Sequence, residues 1–196
     1  TSEGDFSEAL NFAGVWKVPV IFTIQNNQYA ISVPVKSQTK SVNLAVKALA
    51  FGIPGIKVDG NDFFAMYVAY KEAFDNARSG NGPVLIEALT YRKGAHTTSD
   101  DPTKYRTKEE EQEWDKTDPL VRLKKYMDKK GIWEEDEEKL IEEYKLEVDK
   151  QFEEAENFTP YPLEDVFQYM YVDTPEILNK QKSDFEQYQT WKENRK

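Results

Sequence analysis

Val84-Leu85-Ile86-Glu87-Ala88-Leu89-Thr90-Tyr91 is the run on which the fold turns. It is apolar, rich in strand formers and preceded by the breaker Ser79-Gly80-Asn81-Gly82-Pro83, so it reads as a buried strand. Upstream, Val18-Pro19-Val20-Ile21-Phe22-Thr23-Ile24 is a second short β-branched run, expected to be buried on both faces as in a parallel sheet. It ends in the polar turn Gln25-Asn26-Asn27-Gln28-Tyr29. Between them, Gly55-Ile56-Lys57-Val58-Asp59-Gly60 is a strand and turn. Asp62 then caps a helix running to about Arg78, with Phe63, Tyr67, Tyr70 and Phe74 on one side. Residues 5–16 have helical spacing, and Asn43 to Phe51 form a small-residue helix stopped by Gly52. Strand, helix, strand, helix, strand implies crossover connections, hence an α/β fold with a mostly parallel sheet and helices on both faces.

Composition narrows the chemistry. The 196 residues carry a net charge of −10, which disfavours free nucleic acid and anionic membranes as partners. With no cysteine, thiolate metal sites and cysteine nucleophiles are excluded, and a reducing, cytoplasmic setting is expected. There is one histidine, His96, and no apolar run long enough for a membrane span. The chain opens Thr1-Ser2-Glu3-Gly4-Asp5-Phe6 with no Met and no leading strand, which reads as a start inside a domain.

After residue 106 the composition turns acidic and helical. Lys108 to Trp114 is an acidic helix, and Asp118-Pro119 starts another that Gly131 ends. Residues 134–157 are Glu-rich with an apolar stripe of Leu140, Ile141, Tyr144, Val148 and Phe152. Phe158 to Pro162 is a break, and helices follow at about 163–171 and 175–193. The many carboxylates of these helices read as solvated faces.

In parallel α/β sheets, ligands gather beyond the carboxyl ends of strands. Two polar stretches stand there: Asn26-Asn27, and Arg92 through His96 in Tyr91-Arg92-Lys93-Gly94-Ala95-His96-Thr97-Thr98-Ser99-Asp100-Asp101-Pro102. The Asn27 amide oxygen suits magnesium, the Tyr29 carbonyl is placed to share the ion, and a carboxylate should complete the set. The alternative is that Asn26-Asn27 merely forms a turn. Arg92 can clamp a phosphate with paired donors, or cap the sheet edge as a snorkelling cation. His96 stands in a Gly-containing loop that can bring it over the same ligand, or is a surface residue. Asp100, Asp101, Tyr105 and Arg106 continue this polar stretch, and adjacent Asp100 and Asp101 are not spaced as a glycosidase pair. The GxGxxG, GxSxG, Walker and HExxH patterns are absent.

Taken in order, these segments resemble the alpha subunit of the thiamine-diphosphate-dependent decarboxylating component of 2-oxo acid dehydrogenase complexes, closest to its bacterial pyruvate dehydrogenase members. The segments are Gly4-Asp5-Phe6, Asn11-Phe12-Ala13-Gly14, Gln25 to Ser32, Gly52 to Gly60, Gly82 to Glu87, Tyr91-Arg92 with His96, Asp100-Asp101-Pro102, Tyr105-Arg106 and Asp118-Pro119-Leu120.

The resemblance implies a partial thiamine-diphosphate-binding fold over residues 1–106, with an active-site loop at 92–106. Residues 107–196 would be a helical extension packing on that domain and on partner subunits. It implies magnesium held by Asn27 and the Tyr29 carbonyl, diphosphate contacted by Arg92, and His96 near the cofactor, assisting transfer to a lipoyl group. The activity implied is oxidative decarboxylation of pyruvate with reductive acetylation of the lipoyl acyltransferase component. A beta subunit would be the partner in an alpha2-beta2 heterotetramer. Branched-chain 2-oxo acid and acetoin dehydrogenase alpha subunits are the alternatives, and a non-catalytic interaction fragment is the alternative of another class. The Gly-Asp-Gly opening of the family's cofactor motif is expected just before Thr1. Thr97 and Lys104 stand where mitochondrial members carry regulatory serines, which argues against control by phosphorylation there.

Overall fold

The computed structural model describes residues 1–133, 136–159 and 161–195. Its contacts group into two units, Thr1–Glu134 and Glu135–Lys196. In the first, α1 (Gly4–Trp16) leads into β1 (Ile21–Asn26), and a small antiparallel pair follows, β2 (Tyr29–Ala30) with β3 (Val33–Pro34). A single helical turn, α2 (Val35–Gln38), precedes a 3-10 helix at Ala45–Phe51, then β4 (Gly55–Asp59), α3 (Phe63–Arg78) and β5 (Val84–Leu89). A 3-10 turn at Pro102–Lys104, α4 (Lys108–Asp115) and α5 (Pro119–Lys130) complete the unit.

β1, β5 and β4 form a three-stranded parallel sheet in that order, with β5 central. The alternation along β5 explains both layers. Leu85 points to one face, where it packs with Leu10 of α1 and with Ala48 and Ile53, flanked by Phe22, Ile24 and Phe51. Val84 and Ile86 point to the other, meeting Ala73 of α3 together with Ile21, Ile56 and Val58. Helices therefore cover both faces of a parallel sheet, as the sequence implied. The strand buried on both faces is β5; β1, expected to be so, is an edge strand here with two exposed positions.

Local chemistry sets the boundaries. Asp62 accepts hydrogen bonds from Phe64 and Ala65 N–H to start α3, and Asp118 caps α5 with Pro119 in its first turn. Thr107 caps α4. The segment before Gly52 is a 3-10 helix rather than an α-helix, and it stops where Gly52 turns left-handed at φ 67°. It lies so close to β4 that a Cβ on Gly55 would come 2.3 Å from the Ala45 carbonyl oxygen.

The inner face of α3 is made mainly of alanine. Ala69, Ala73 and Ala77 are its buried residues, whereas Phe63, Tyr67 and Phe74 are 54%, 60% and 45% exposed. Tyr70, the fourth aromatic on that side, packs against the cluster of Val84 and Ile86 and meets the Thr23 hydroxyl at 2.6 Å, while the alanines let the helix lie close on the sheet.

α4 and α5 belong to the unit that holds the sheet, so the contact boundary falls later than residue 106, where composition changes. Arg122 of α5 pairs with Asp59 and Asp62 at 2.8 and 2.7 Å. The second unit contains α6 (Glu137–Glu156), α7 (Leu163–Phe167) and α8 (Glu176–Glu193). Lys182 pairs with Glu164 at 2.6 Å, joining α8 to α7. Positions 134 and 135 of the expected Glu-rich helix, and Pro160 of the expected break, lie outside the described residues.

Candidate active site

All three strands of the main sheet run the same way, so Asn26, Asp59 and Leu89 end on one edge. Hydrogen bonds tie these ends together. Thr90 N–H donates to the Asn26 carbonyl at 2.9 Å, Gly60 N–H to the Leu89 carbonyl at 2.7 Å, and the Thr90 hydroxyl to Asn61 Oδ1 at 2.6 Å.

The turn after β1 is tightly determined. The buried Asn26 side chain donates to Glu87 Oε1 at 2.8 Å, and its Oδ1 accepts from Gln28 N and Nε2 at 3.3 and 3.2 Å. Gln28 and Ile31 both have positive φ, 74° and 53°, conformations that non-glycine residues adopt only when their surroundings hold them there. Asn27 Oδ1 accepts from Tyr29 N–H at 3.1 Å, so Asn27 does form the local turn. That leaves its oxygen a second lone pair for a cation. Tyr29 stands opposite Pro34 in the β2–β3 register; the neighbouring position is the bonded one, Val35 N–H donating to the Gln28 carbonyl at 2.9 Å, so by the antiparallel alternation the Tyr29 carbonyl points away from β3. Asn27 and Tyr29 line a cleft of about 170 Å³ with Thr1, Ser2, Gln38 and Leu44.

The second stretch meets the first. Arg92 N–H donates to the Asn27 carbonyl at 3.3 Å. Its guanidinium donates to the Ile31 carbonyl at 2.6 Å and to the Tyr105 hydroxyl at 3.0 Å. Tyr105 in turn donates to Asp100 Oδ2 at 2.6 Å, and the same oxygen accepts His96 N–H at 2.8 Å. Those two bonds, the His96 N–H foremost, hold the Asp100 carboxyl below its ordinary range, while the bond to Asp100 raises the Tyr105 phenol. Asn27, Tyr29 and Arg92 thus come together at the strand ends, and His96 is joined to them through its backbone, with its ring exposed.

Arg106, with a side chain 1% exposed, fastens the start of this loop. It donates to the carbonyls of Arg92 and Gly94, lies over the Tyr91 ring at 5.5 Å and pairs with Glu111 at 2.6 Å. Tyr91 stacks on Trp114 of α4 at 5.2 Å. Tyr29 donates from its hydroxyl to Glu110 at 2.9 Å, and burial, then that carboxylate, raises its phenol. α4 therefore turns Glu110, Glu111 and Trp114 inward, although an acidic helix at this position reads as solvated. Lys93 reaches Asp115 and Asp118 at 2.7 and 3.1 Å, away from any ligand role.

Residue types alone did not single out Glu87, Glu110, Glu111 or the double role of Asp100. Glu87 was the one with a signal, a charged residue inside an otherwise apolar strand. Among the described residues, no group of three or more His, Asp or Glu gathers to hold a metal ion. What Asn27 and Tyr29 can offer magnesium is two neutral oxygens in one turn, which fits part of a hard-cation shell.

The dehydrogenase E1 component family matches residues 1–163. The chain belongs to that family. It is similar to the pyruvate dehydrogenase E1 component subunit alpha of Staphylococcus aureus strain Mu50, 49% identical over 195 residues, covering 98% of this chain and 51% of that protein. The corresponding subunit of Acholeplasma laidlawii is 51% identical over 191 residues, 96% of this chain and 55% of that protein. This E1-family chain spans about half the length of the curated relatives it matches. Among its described residues, no helix is long and apolar enough to cross a membrane.

Proposed function

We propose that this chain is part of a pyruvate dehydrogenase alpha subunit and supplies one side of a site for magnesium and thiamine diphosphate. One observation carries the reading: the Asn27 turn and the Arg92 loop meet at the carboxyl ends of parallel strands, bonded to each other. The identity to alpha subunits across 98% of the chain supports it.

In this reading Asn27 Oδ1 and the Tyr29 carbonyl hold magnesium, while Arg92 faces the diphosphate as a forked donor. An anion drawn to Arg92 competes with the Ile31 carbonyl and Tyr105 hydroxyl for the same guanidinium. His96, held by Asp100 through its backbone, presents its imidazole to hold or deliver a proton at the substrate and at the lipoyl group. Thiamine diphosphate, when bound, supplies the electron sink for decarboxylation of a 2-oxo acid. The protein's part is to orient substrate and cofactor and to move the proton.

The partners proposed are a beta subunit, in an alpha2-beta2 assembly that the helices after residue 107 help to build, and the lipoyl acyltransferase component. The setting proposed is the cytoplasm. Assaying the full-length alpha subunit with its beta partner against pyruvate, 2-oxoisovalerate and acetoin tests the assignment. Pyruvate should give the highest kcat/KM; a clear preference for the branched acid or for acetoin would reject it.

A further inference from the structure

Glu87 lies in the middle of β5, is 1% exposed, and no cation pairs with it in the hydrogen bonds and ion pairs of the described residues. Its two carboxylate oxygens do different things. Oε2 accepts from the backbone N–H groups of Leu44 and Ala45, at 2.7 and 2.9 Å, where the 3-10 helix begins. Oε1 accepts from Asn26 Nδ2 at 2.8 Å. Capping the 3-10 helix uses Oε2 alone, so the second oxygen requires another reason.

Asn26 provides it. Because Glu87 can only accept, the Asn26 amide must present its NH2 group to Oε1 and its oxygen to Gln28. That oxygen accepts Gln28 N–H at 3.3 Å, and Gln28 is the left-handed residue between Asn27 and Tyr29. Turning the amide over would set an NH2 against the Gln28 N–H and release the turn.

We infer that Glu87 is a positioning residue for the metal turn: through the fixed orientation of Asn26 it sets the separation of the Asn27 amide oxygen and the Tyr29 carbonyl. The inference rests on the magnesium reading above and deepens it. Groups that orient ligands from behind typically change metal affinity by about 10- to 100-fold when altered.

The test uses the full-length alpha subunit with its beta partner, titrated with magnesium at fixed thiamine diphosphate while cofactor retention is measured directly by calorimetry. Glu87→Gln places an NH2 group where an acceptor is needed and should raise the magnesium required for half-retention by about tenfold. Adding Asn26→Asp to Glu87→Gln reverses donor and acceptor, restores every bond and keeps the pair's charge. It should return the requirement to within about threefold of wild type. A loss of packing alone would not be rescued in this way.

Should Asn27→Ala raise the requirement while Glu87→Gln leaves it unchanged, the positioning role is overturned and the magnesium reading stands. Should neither change it, both fall. If Glu87→Gln alone does not fold, the double variant decides. Wild-type-like retention supports the role; weakened retention, or failure of the pair to fold, overturns it.

Discussion

At Asp100 a single carboxylate oxygen accepts the His96 N–H and the Tyr105 hydroxyl, and so joins the lone histidine to Arg92. Both bonds favour the charged form and depress the Asp100 pKa. The sign follows: its contribution to loop order is present above the unfolded carboxylate range and is lost as pH falls through the lower folded value. Amide exchange of the 92–106 segment should therefore stay protected down to about pH 5 and rise steeply only in stronger acid. Exposure of the segment already near neutral pH would contradict this. In the full-length assembly, His96→Ala should slow acyl transfer to lipoyl by about 100-fold, with cofactor affinity little changed. Lost affinity with normal turnover at saturation would refute the role given to His96. That the Asn27 turn and the Arg92 loop would meet was legible, because both stretches follow the carboxyl ends of parallel strands. Asp100 as an organiser was not, since its role depends on how the loop folds back on itself.

Among the elements, the caps were the most legible features. Asp62 and Asp118 start α3 and α5 through their side chains, and Gly131 ends α5 by turning left-handed. Asp62 also pairs with Arg122 at 2.7 Å, so it joins α3 to α5. Asp62→Ala should lower stability by about 1 kcal/mol, measured as a lower urea midpoint with unchanged slope. No shift in midpoint would show that neither the cap nor the pair contributes. The facing of α3 was not legible. Its sequence offers two apolar stripes, alanine and aromatic, and helical periodicity cannot say which one lies on the sheet. Likewise the exposure of β1 depends on strand order, which a run of Val and Ile does not encode. The inward carboxylates of α4 were hidden for a related reason: Glu110 and Glu111 look solvated until Tyr29 and Arg106 are seen beneath them.

For the whole molecule, the alternation of strand and helix patterns pointed to an α/β chain, and the change of composition after residue 106 to helices beyond it. The exposed aromatic side of α3, and Phe12 and Trp16 on α1 at 50% and 67% exposed, show how much apolar surface the single chain leaves open. The neutral oxygens of Asn27 and Tyr29 make too weak a magnesium site by themselves, because a divalent cation beside a diphosphate calls for a carboxylate too. The 196-residue chain alone should thus give no measurable heat with magnesium and thiamine diphosphate; tight binding would show that these residues suffice. The most direct measurement is calorimetry of magnesium-dependent thiamine diphosphate binding to the full-length alpha subunit paired with its beta partner, comparing wild type with Asn27→Ala. The account predicts saturable binding that needs magnesium, weakened at least about tenfold by Asn27→Ala. Binding of equal strength in the two proteins, or binding indifferent to magnesium, would contradict it.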